Sequence, residues 1–311
     1  MMSLRLYCPA ELSEAAQGVL DGHAAVGAVA VIKGASKHPA GDLILADIAR
    51  EGVNHVVDGL LELGLTEEGT IHLSPVDAWV SRRDLEALNT TPGEEADAVV
   101  WTEVLARAYD ATALTWSFFT FLSLSCLLAA IAIVLDSTLL LVGAVVLGPE
   151  FGAIAAIGLA LVRRRPELLK RALRILLLGF ASAVVVATAF ALVVQALGWV
   201  SVEHVAGTRA NTGFIYHPDQ WSVVIAVLAG IAGVLSLTSS SSNALVGVFI
   251  SVTTLPASGN IALGIAFRQW DQVLGSTAQV LINITGMAVA GWLTLLVQQT
   301  VWSRVRARVR R

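Results

Sequence analysis

The sequence has few charged residues for its length. Of its 311 residues, 14% are Asp, Glu, Lys or Arg and 56% are hydrophobic, whereas a soluble globular protein carries about 25% charged residues. Charged side chains are spread throughout residues 1–112, but beyond Ala113 they nearly vanish from long windows and gather in arginine clusters between them. This excludes one large soluble core and predicts a soluble N-terminal region joined to a membrane body.

Cysteine is also scarce, because the chain has only Cys8, in a strand-like segment, and Cys126, in an apolar helical segment. A disulfide framework and a cysteine-based metal site are thereby excluded. Residues 1–8 have too short an apolar run for a secretory signal, so we expect a reduced N-terminal region in the cytoplasm. We expect no metal, no cofactor and no nucleic-acid partner.

Residues 1–83 alternate between strand-like and helix-like segments. In chain order these are a strand at 4–8, a helix at 11–24, strands at 28–32 and 42–48, a helix at 53–63 and a strand at 70–73. The order βαββαβ predicts an α+β ferredoxin-like domain, in which two helices cover one face of a four-stranded antiparallel sheet. His38, His55 and His72 lie in different elements without helical ligand spacing, so we interpret them as surface and loop histidines rather than a metal site.

Residues 84–113 predict a connecting helix. Thr91 is placed as its N-cap, with Pro92 at the first helical position and Glu94 two residues further on, a pattern close to a capping box. Apolar residues then recur at helical spacing towards Trp116. We expect this helix to couple the N-terminal domain rigidly to the membrane domain; a loose tether is the alternative.

Residues 114–303 predict a transmembrane domain of six spans, followed by a basic cytoplasmic tail at 304–311. Crossing a bilayer takes about 20 mostly apolar residues. Six windows fit this requirement, namely 114–135, 138–162, 172–197, 221–237, 244–267 and 273–298.

The positions of lysine and arginine predict the orientation. One cluster lies between spans two and three, at Arg163–Arg174, and another follows span six, at Arg304–Arg311. The opposite side has only Arg209 and Arg268. Cytoplasmic loops are rich in Lys and Arg, so we expect a multi-pass protein of the cell (inner) membrane with both termini in the cytoplasm.

The two halves of the predicted membrane domain resemble each other. Val142-Gly143 recurs as Val246-Gly247, Pro149 has a counterpart in Pro256, and a short polar turn follows in each half. Because each unit has three spans, its second copy lies in the membrane with the opposite orientation. The pattern therefore predicts an inverted 3+3 repeat, as in many secondary transporters. Chance similarity between apolar helices is the alternative.

Glu150 lies near the middle of the second predicted span, directly after Gly148-Pro149. A charged side chain at this depth costs at least a few kcal/mol, and proline removes a backbone hydrogen bond, so that carbonyl groups become available. This combination favours an ion- or proton-coupling site. The alternative is a protonated glutamate that only packs between helices.

Further polar residues lie at similar depth in spans five and six. The candidate binding residues are Glu150, Pro149, Thr253, Thr254, Pro256, Asn260 and Asn283. Together they predict one polar pocket at the repeat interface. Alternatively, the Thr and Asn side chains only form hydrogen bonds between helices, each contributing about 1 kcal/mol.

Four segments resemble a known family. They are Asp136-Ser137, residues 142–152 with the stretch Gly-Pro-Glu-Phe-Gly, the arginine turn at 163–165, and residues 244–256. Residues 115–298 as a whole resemble the prokaryotic membrane-protein family called domain of unknown function 389. The resemblance implies a multi-span bacterial or archaeal membrane protein and leaves its activity open. It also implies that Glu150 marks a subgroup, since many members have an apolar residue there.

These observations favour a membrane transporter or channel for a small ion or solute, with a regulatory or oligomerising cytoplasmic domain. The alternative is a membrane-anchored sensor or scaffold whose cytoplasmic domain binds a ligand or protein. An enzyme is not expected, because the spans contain no Ser–His dyad, metal-ligand cluster or paired carboxylates. The many glycines in the spans permit close helix packing, so we expect a homo-oligomer.

Overall fold

The computed structural model describes residues 1–76, 80–91, 99–207, 209, 211–216, 218–238 and 244–309, apart from the side chains of residues 214, 244–253 and 301–309. The chain divides into two compact units. The N-terminal unit consists mainly of Met1–Leu105, and the helical unit consists of Ala106–Leu237 and Ser242–Ser303. The first boundary, after Leu105, falls within the predicted connecting segment at 84–113.

The N-terminal unit is built on one antiparallel sheet. Its strands are β1 (Met2–Pro9), β2 (Val26–Lys37), β3 (Ala40–Ile48) and β4 (Thr70–Pro75), and its first helices are α1 (Ser13–Asp21), α2 (Val53–Glu62) and the short α3 (Leu65–Glu68). The strand order is β2-β3-β1-β4. This confirms the predicted α+β domain with a four-stranded antiparallel sheet; α3 is an addition to the predicted elements.

One face of the sheet forms the core of this unit. Met2, Leu4, Leu6 and Cys8 alternate along β1 and are fully buried, as expected when successive side chains point to opposite faces. They belong to a cluster with the inward faces of α1 and α2. The polar residues between them in β1 therefore lie on the opposite face of the sheet.

Within the described residues, two helices lie in the segment where one connecting helix was predicted. They are α4 (Arg82–Thr90) and α5 (Trp101–Ala111). Thr91 follows α4, and its hydroxyl donates to the Ala87 carbonyl; Pro92 and Glu94 of the predicted capping pattern lie outside the described residues. In the N-terminal unit, Asn54 of α2 fixes the start of α5, since its side chain donates to the Val99 carbonyl and accepts from the Trp101 amide.

The helical unit contains the remaining elements. They are α6 (Trp116–Val134), α7 (Thr138–Val146), α8 (Phe151–Val162), α9 (Pro166–Ala196), the short α10 (Val202–Ala206), α11 (Gln220–Thr238), α12 (Ala244–Ala266) and α13 (Trp270–Val309). Within the described part of the chain, α6, α9, α11 and α13 are each long and apolar enough to cross a membrane. The chain is thus a multi-pass membrane protein.

The second predicted span is present as two helices. α7 and α8 are bent by 56° at a break of four residues, and together they are apolar enough for one broken span. This gives four or five candidate spans. α12 has 23 residues, but the side chains of its first ten lie outside the described residues, so the sixth span stays a prediction.

Glycine permits close contact between the spanning helices. A Cβ atom at Gly259 of α12 would lie 2.9 Å from the backbone nitrogen of Ala130 in α6. One at Gly158 of α8 would lie 3.0 Å from the backbone nitrogen of Trp292 in α13. Larger side chains would force these helices apart, as is usual where small residues line a helix interface.

Candidate functional site

The break between α7 and α8 brings Glu150 into the interior of the helical unit. Proline lacks a backbone N–H and ends the run of helical hydrogen bonds, so α7 stops at Val146 and α8 starts directly after Glu150. The Glu150 side chain is completely buried. The Thr254 hydroxyl of α12 donates to its Oε1 atom at 3.1 Å. Two of the predicted site residues, 104 positions apart, are therefore in direct contact.

The two paired prolines differ in their effect. Pro149 lies in the break, whereas Pro256 is buried inside the continuous helix α12. A proline within a spanning helix is tolerated when neighbouring groups satisfy the backbone that it disturbs. Pro149 differs because it follows Gly148, a second residue that disfavours helix. The side chain of Thr253 lies outside the described residues.

Asn260, another predicted site residue, belongs to a second polar cluster. Its side-chain oxygen accepts a hydrogen bond from Nη1 of Arg209 at 2.9 Å, and its amide nitrogen donates to the Ser276 hydroxyl at 2.9 Å. Nη2 of Arg209 donates to Oε1 of Gln272 at 2.6 Å, and Nε2 of Gln272 donates to the Val205 carbonyl at 2.9 Å. We call Arg209, Asn260, Gln272 and Ser276 the arginine cluster.

Arg209 is 6% exposed, although it lies in the segment between α9 and α11. Its guanidinium carbon is 4.9 Å from the centre of the Tyr216 ring. Burial lowers the pKa of Arg209, while Tyr216 and, more weakly, Asp136 oppose this shift. In the described part of the chain its Nε atom is buried without a hydrogen-bond partner.

A row of buried polar side chains continues from this cluster along α13. Gln272, Ser276, Gln279 and Asn283 are spaced by four, three and four residues and are all buried, so they share one helix face. At about 1.5 Å per residue the row extends about 16 Å. We call these four residues the α13 polar row.

The far end of the α13 polar row has unsatisfied hydrogen-bonding groups. Within the described residues, both side-chain polar atoms of Asn283 and Oε1 of Gln279 are buried without a hydrogen-bond partner. Most buried polar groups in native proteins have a partner, either protein or water. Asn283 was a predicted site residue and lies on this row, but no contact joins it to Glu150 or to Asn260 among the described hydrogen bonds.

Four residues of these clusters were not predicted as site residues from the sequence. Arg209 served only as a marker of the side of the membrane, and Gln272, Ser276 and Gln279 were omitted. Their signal was present in the helical spacing of three polar residues that lead to Asn283, and in the isolation of Arg209 from other charges. A solvent-exposed charge was the simpler interpretation, because arginine is seldom fully buried unless paired.

Two cavities of the helical unit have apolar walls. One of about 360 Å³ is lined by residues of α6, α9 and α12 together with Trp199 and His204. Another of about 10 Å³ lies between α8, α11 and α13 beside Met287. Neither of these two cavities is lined by Glu150, Asn260 or Asn283. Among the described residues no group of three or more His, Cys, Asp or Glu side chains could hold a metal ion.

Comparison with known families places these residues in one domain. Residues 145–289 match the family model "Domain of unknown function (DUF389)". This part of the chain is a DUF389 domain. The match confirms the family resemblance and covers α8, α9, α11 and α12 with half of α13, so the DUF389 domain includes Glu150, the arginine cluster and the α13 polar row. No curated protein and no solved structure matches the chain.

Proposed function

We propose that the helical unit, with its DUF389 domain, is a membrane transporter or channel for a small ion or solute. The α13 polar row carries this proposal. The hydrocarbon core of a bilayer is about 30 Å thick, so a row of about 16 Å extends through roughly half of it. An anchoring helix needs no such row, and buried polar groups at membrane depth commonly mark the pathway of a solute or ion.

Glu150 is proposed as the coupling residue. It is the acidic group in the break of a bent span, and Thr254 holds one of its oxygens. Broken helices in transporters place backbone groups and side chains around a substrate or a coupling ion. A carboxylate that gains and loses a proton or binds a cation at this position would link that event to the angle between α7 and α8.

The proposed architecture is six spans arranged as an inverted 3+3 repeat. The recurrence of Val142-Gly143 as Val246-Gly247 supports it. The turns after α8 and α12 also have the same geometry, which the ends of α6 and α9 share. Arg164 and Arg268 have φ angles of 50° and 57°. The amide of Arg165 donates to the Ala160 carbonyl, and that of Gln269 to the Gly264 carbonyl. Both hydrogen bonds have the six-residue spacing of the Schellman motif at a helix C-terminus.

We further propose that the N-terminal unit is a ferredoxin-like regulatory or oligomerising domain in the cytoplasm, with both termini on that side of the cell membrane. The strand order β2-β3-β1-β4 supports the fold. In the N-terminal unit, the first turn of α5 is held by Asn54 and by the ion pair of Glu103 with Arg50. Since the chain passes from this unit into the helical unit within α5, α5 is the segment through which regulation would act.

The test is solute flux into proteoliposomes with a panel of inorganic cations, anions and protons. Wild type is expected to move at least one of them, and Glu150→Gln is expected to lose the coupling to a proton or cation. Glu167→Gln is the matched control, since Glu167 is an exposed acid in the first turn of α9. Normal coupled flux with Glu150→Gln would exclude the coupling role. The absence of any flux with wild type would exclude transport of the tested ions.

A sensor is the second candidate function, and one observation favours it. The sheet face opposite the core has a polar cavity of about 390 Å³ lined by Ser3, Arg5, His72, Leu73 and Ser74. The sensor function is supported if no solute crosses the liposome membrane while inorganic phosphate or small carboxylates raise the melting temperature of the full-length protein. The variant Arg5→Ala would then abolish that shift.

A further inference from the structure

Arg209 has a positive charge that forms no ion pair with an acidic side chain in the described part of the chain. The ion pairs resolved there join other residues. The guanidinium of Arg209 donates to the amide oxygens of Asn260 and Gln272, and the Tyr216 side chain is a further neutral partner. Arginine stays protonated in proteins. A buried, unpaired charge is costly, so the charge of Arg209 creates a strong local preference for an anion.

The two amides are held with their oxygens towards the guanidinium. The Nδ2 atom of Asn260 donates to Ser276, and the Nε2 atom of Gln272 donates to the Val205 carbonyl. Each amide therefore presents its acceptor to Arg209. Two neutral oxygens solvate the guanidinium as the oxygens of an oxyanion would, but they leave its net charge unchanged.

The acidic group whose charge acts on Arg209 is Asp136, and its carboxylate accepts hydrogen bonds from other residues. It accepts hydrogen bonds from the Thr212 hydroxyl at 2.8 Å and from the backbone and side chain of Asn211 at 3.2–3.3 Å. These bonds keep the pKa of Asp136 below its usual range. Asp136 therefore attracts Arg209 only through space.

We propose that Arg209 is the centre of a binding site for a small monovalent oxyanion. The buried Nε–H has no partner among the described residues, and together with an Nη–H it offers the two parallel donors that fit a planar oxyanion. The anion would take the place of the Gln272 oxygen at Nη2. A single guanidinium charge matches a monovalent ion, and the burial of Arg209, which is 6% exposed, favours a small one.

Binding of an anion by the arginine cluster goes beyond the proposed function, because the site would hold the anion whether or not a solute crosses the membrane. If transport is also correct, the arginine cluster lies at the start of the α13 polar row, and the anion is then the species that enters it.

The experiment measures binding of nitrate to the purified full-length protein by isothermal titration calorimetry, with sodium gluconate keeping the ionic strength constant. Wild type is expected to bind nitrate saturably. Arg209→Gln removes the charge and is expected to weaken binding at least about tenfold. Arg268→Gln is the matched control, because Arg268 is an exposed arginine near the same end of α13, and it is expected to bind as wild type does.

Gln272→Glu provides a second test that does not depend on the loss of Arg209. It places a carboxylate where the amide oxygen now lies 2.6 Å from Nη2, so an internal ion pair is expected to exclude nitrate from a protein that still folds. The proposal is overturned if Gln272→Glu binds nitrate as tightly as wild type. It is also overturned if wild type shows no saturable heat with nitrate, or if Arg268→Gln loses binding to the same extent as Arg209→Gln.

Discussion

The N-terminal unit and the helical unit each bury an arginine, and they treat its charge differently. Arg50 is paired with Glu103 at 2.8 Å, with side chains 4% and 14% exposed. Arg209 is buried to a similar degree but has only amide and tyrosine partners in the described residues. A paired charge stabilises a fixed contact, whereas a charge with neutral partners remains able to bind an ion. The difference indicates a structural role for Arg50 and a ligand-binding role for Arg209.

Removing Glu103, the acidic partner of Arg50, is expected to have the largest effect on stability. Glu103→Ala removes the carboxylate that lies 2.8 Å from the buried guanidinium of Arg50, and breaking a buried ion pair costs about 3 kcal/mol of stability in comparable cases. Hydrogen exchange of the full-length protein should show lost protection at the start of α5 and in α2. The double variant Arg50→Met with Glu103→Leu is the control and should restore protection. Equal protection in Glu103→Ala and wild type would contradict the assigned role of the pair.

Loss of the Thr254 hydroxyl tests the buried polar contacts of the helical unit. Thr254→Val keeps the shape of the side chain but removes its hydrogen bond to Glu150, and interhelical bonds in membranes contribute about 1 kcal/mol. We expect a lower melting temperature in detergent. Thr277→Val is the control, since Thr277 is exposed and bonds only within its own helix. If both variants lower the melting temperature equally, the contact with Glu150 has no special stabilising effect.

The smallest expected effect is a pH dependence of the N-terminal unit. Burial, followed by repulsion from His55, lowers the pKa of His23 below its ordinary value of 6.5. The unfolded chain then binds this proton more readily than the folded one. Stability is therefore complete above about pH 6.5 and decreases as the pH falls below it.

Unfolding measured between pH 5 and pH 8 checks this dependence. His23→Gln should reduce the loss of stability at acidic pH, while His38→Gln, which alters an exposed histidine in the β2–β3 turn, should leave it unchanged. An unaltered pH profile for His23→Gln would show that another group is responsible.

Much of the fold follows from the sequence because its signals are periodic. Alternation in β1 and apolar helical faces in α1 and α2 predict the sheet and its covering helices. The break at Pro149 is predicted by proline chemistry, but the uninterrupted helix around Pro256 is not, since tolerance of a proline depends on its neighbours in space.

The candidate site was predictable only in part. Glu150 was predicted because an acid in an apolar run is rare. Thr254 was predicted because it lies at a similar depth in the second half of the membrane domain. The burial of Arg209 depends on how the segment between α9 and α11 folds back onto α12 and α13. No periodicity describes such a segment, so its contacts appear only in three dimensions.

The length of α13 has a mechanical consequence. This helix continues without interruption for 40 residues, which corresponds to about 60 Å, or about twice the thickness of the hydrocarbon core. A rod of this length converts a tilt of about 10° into a displacement of about 10 Å at its far end. Because the polar row occupies the first part of the same rod, a small rearrangement there would be amplified at the opposite end of the helix.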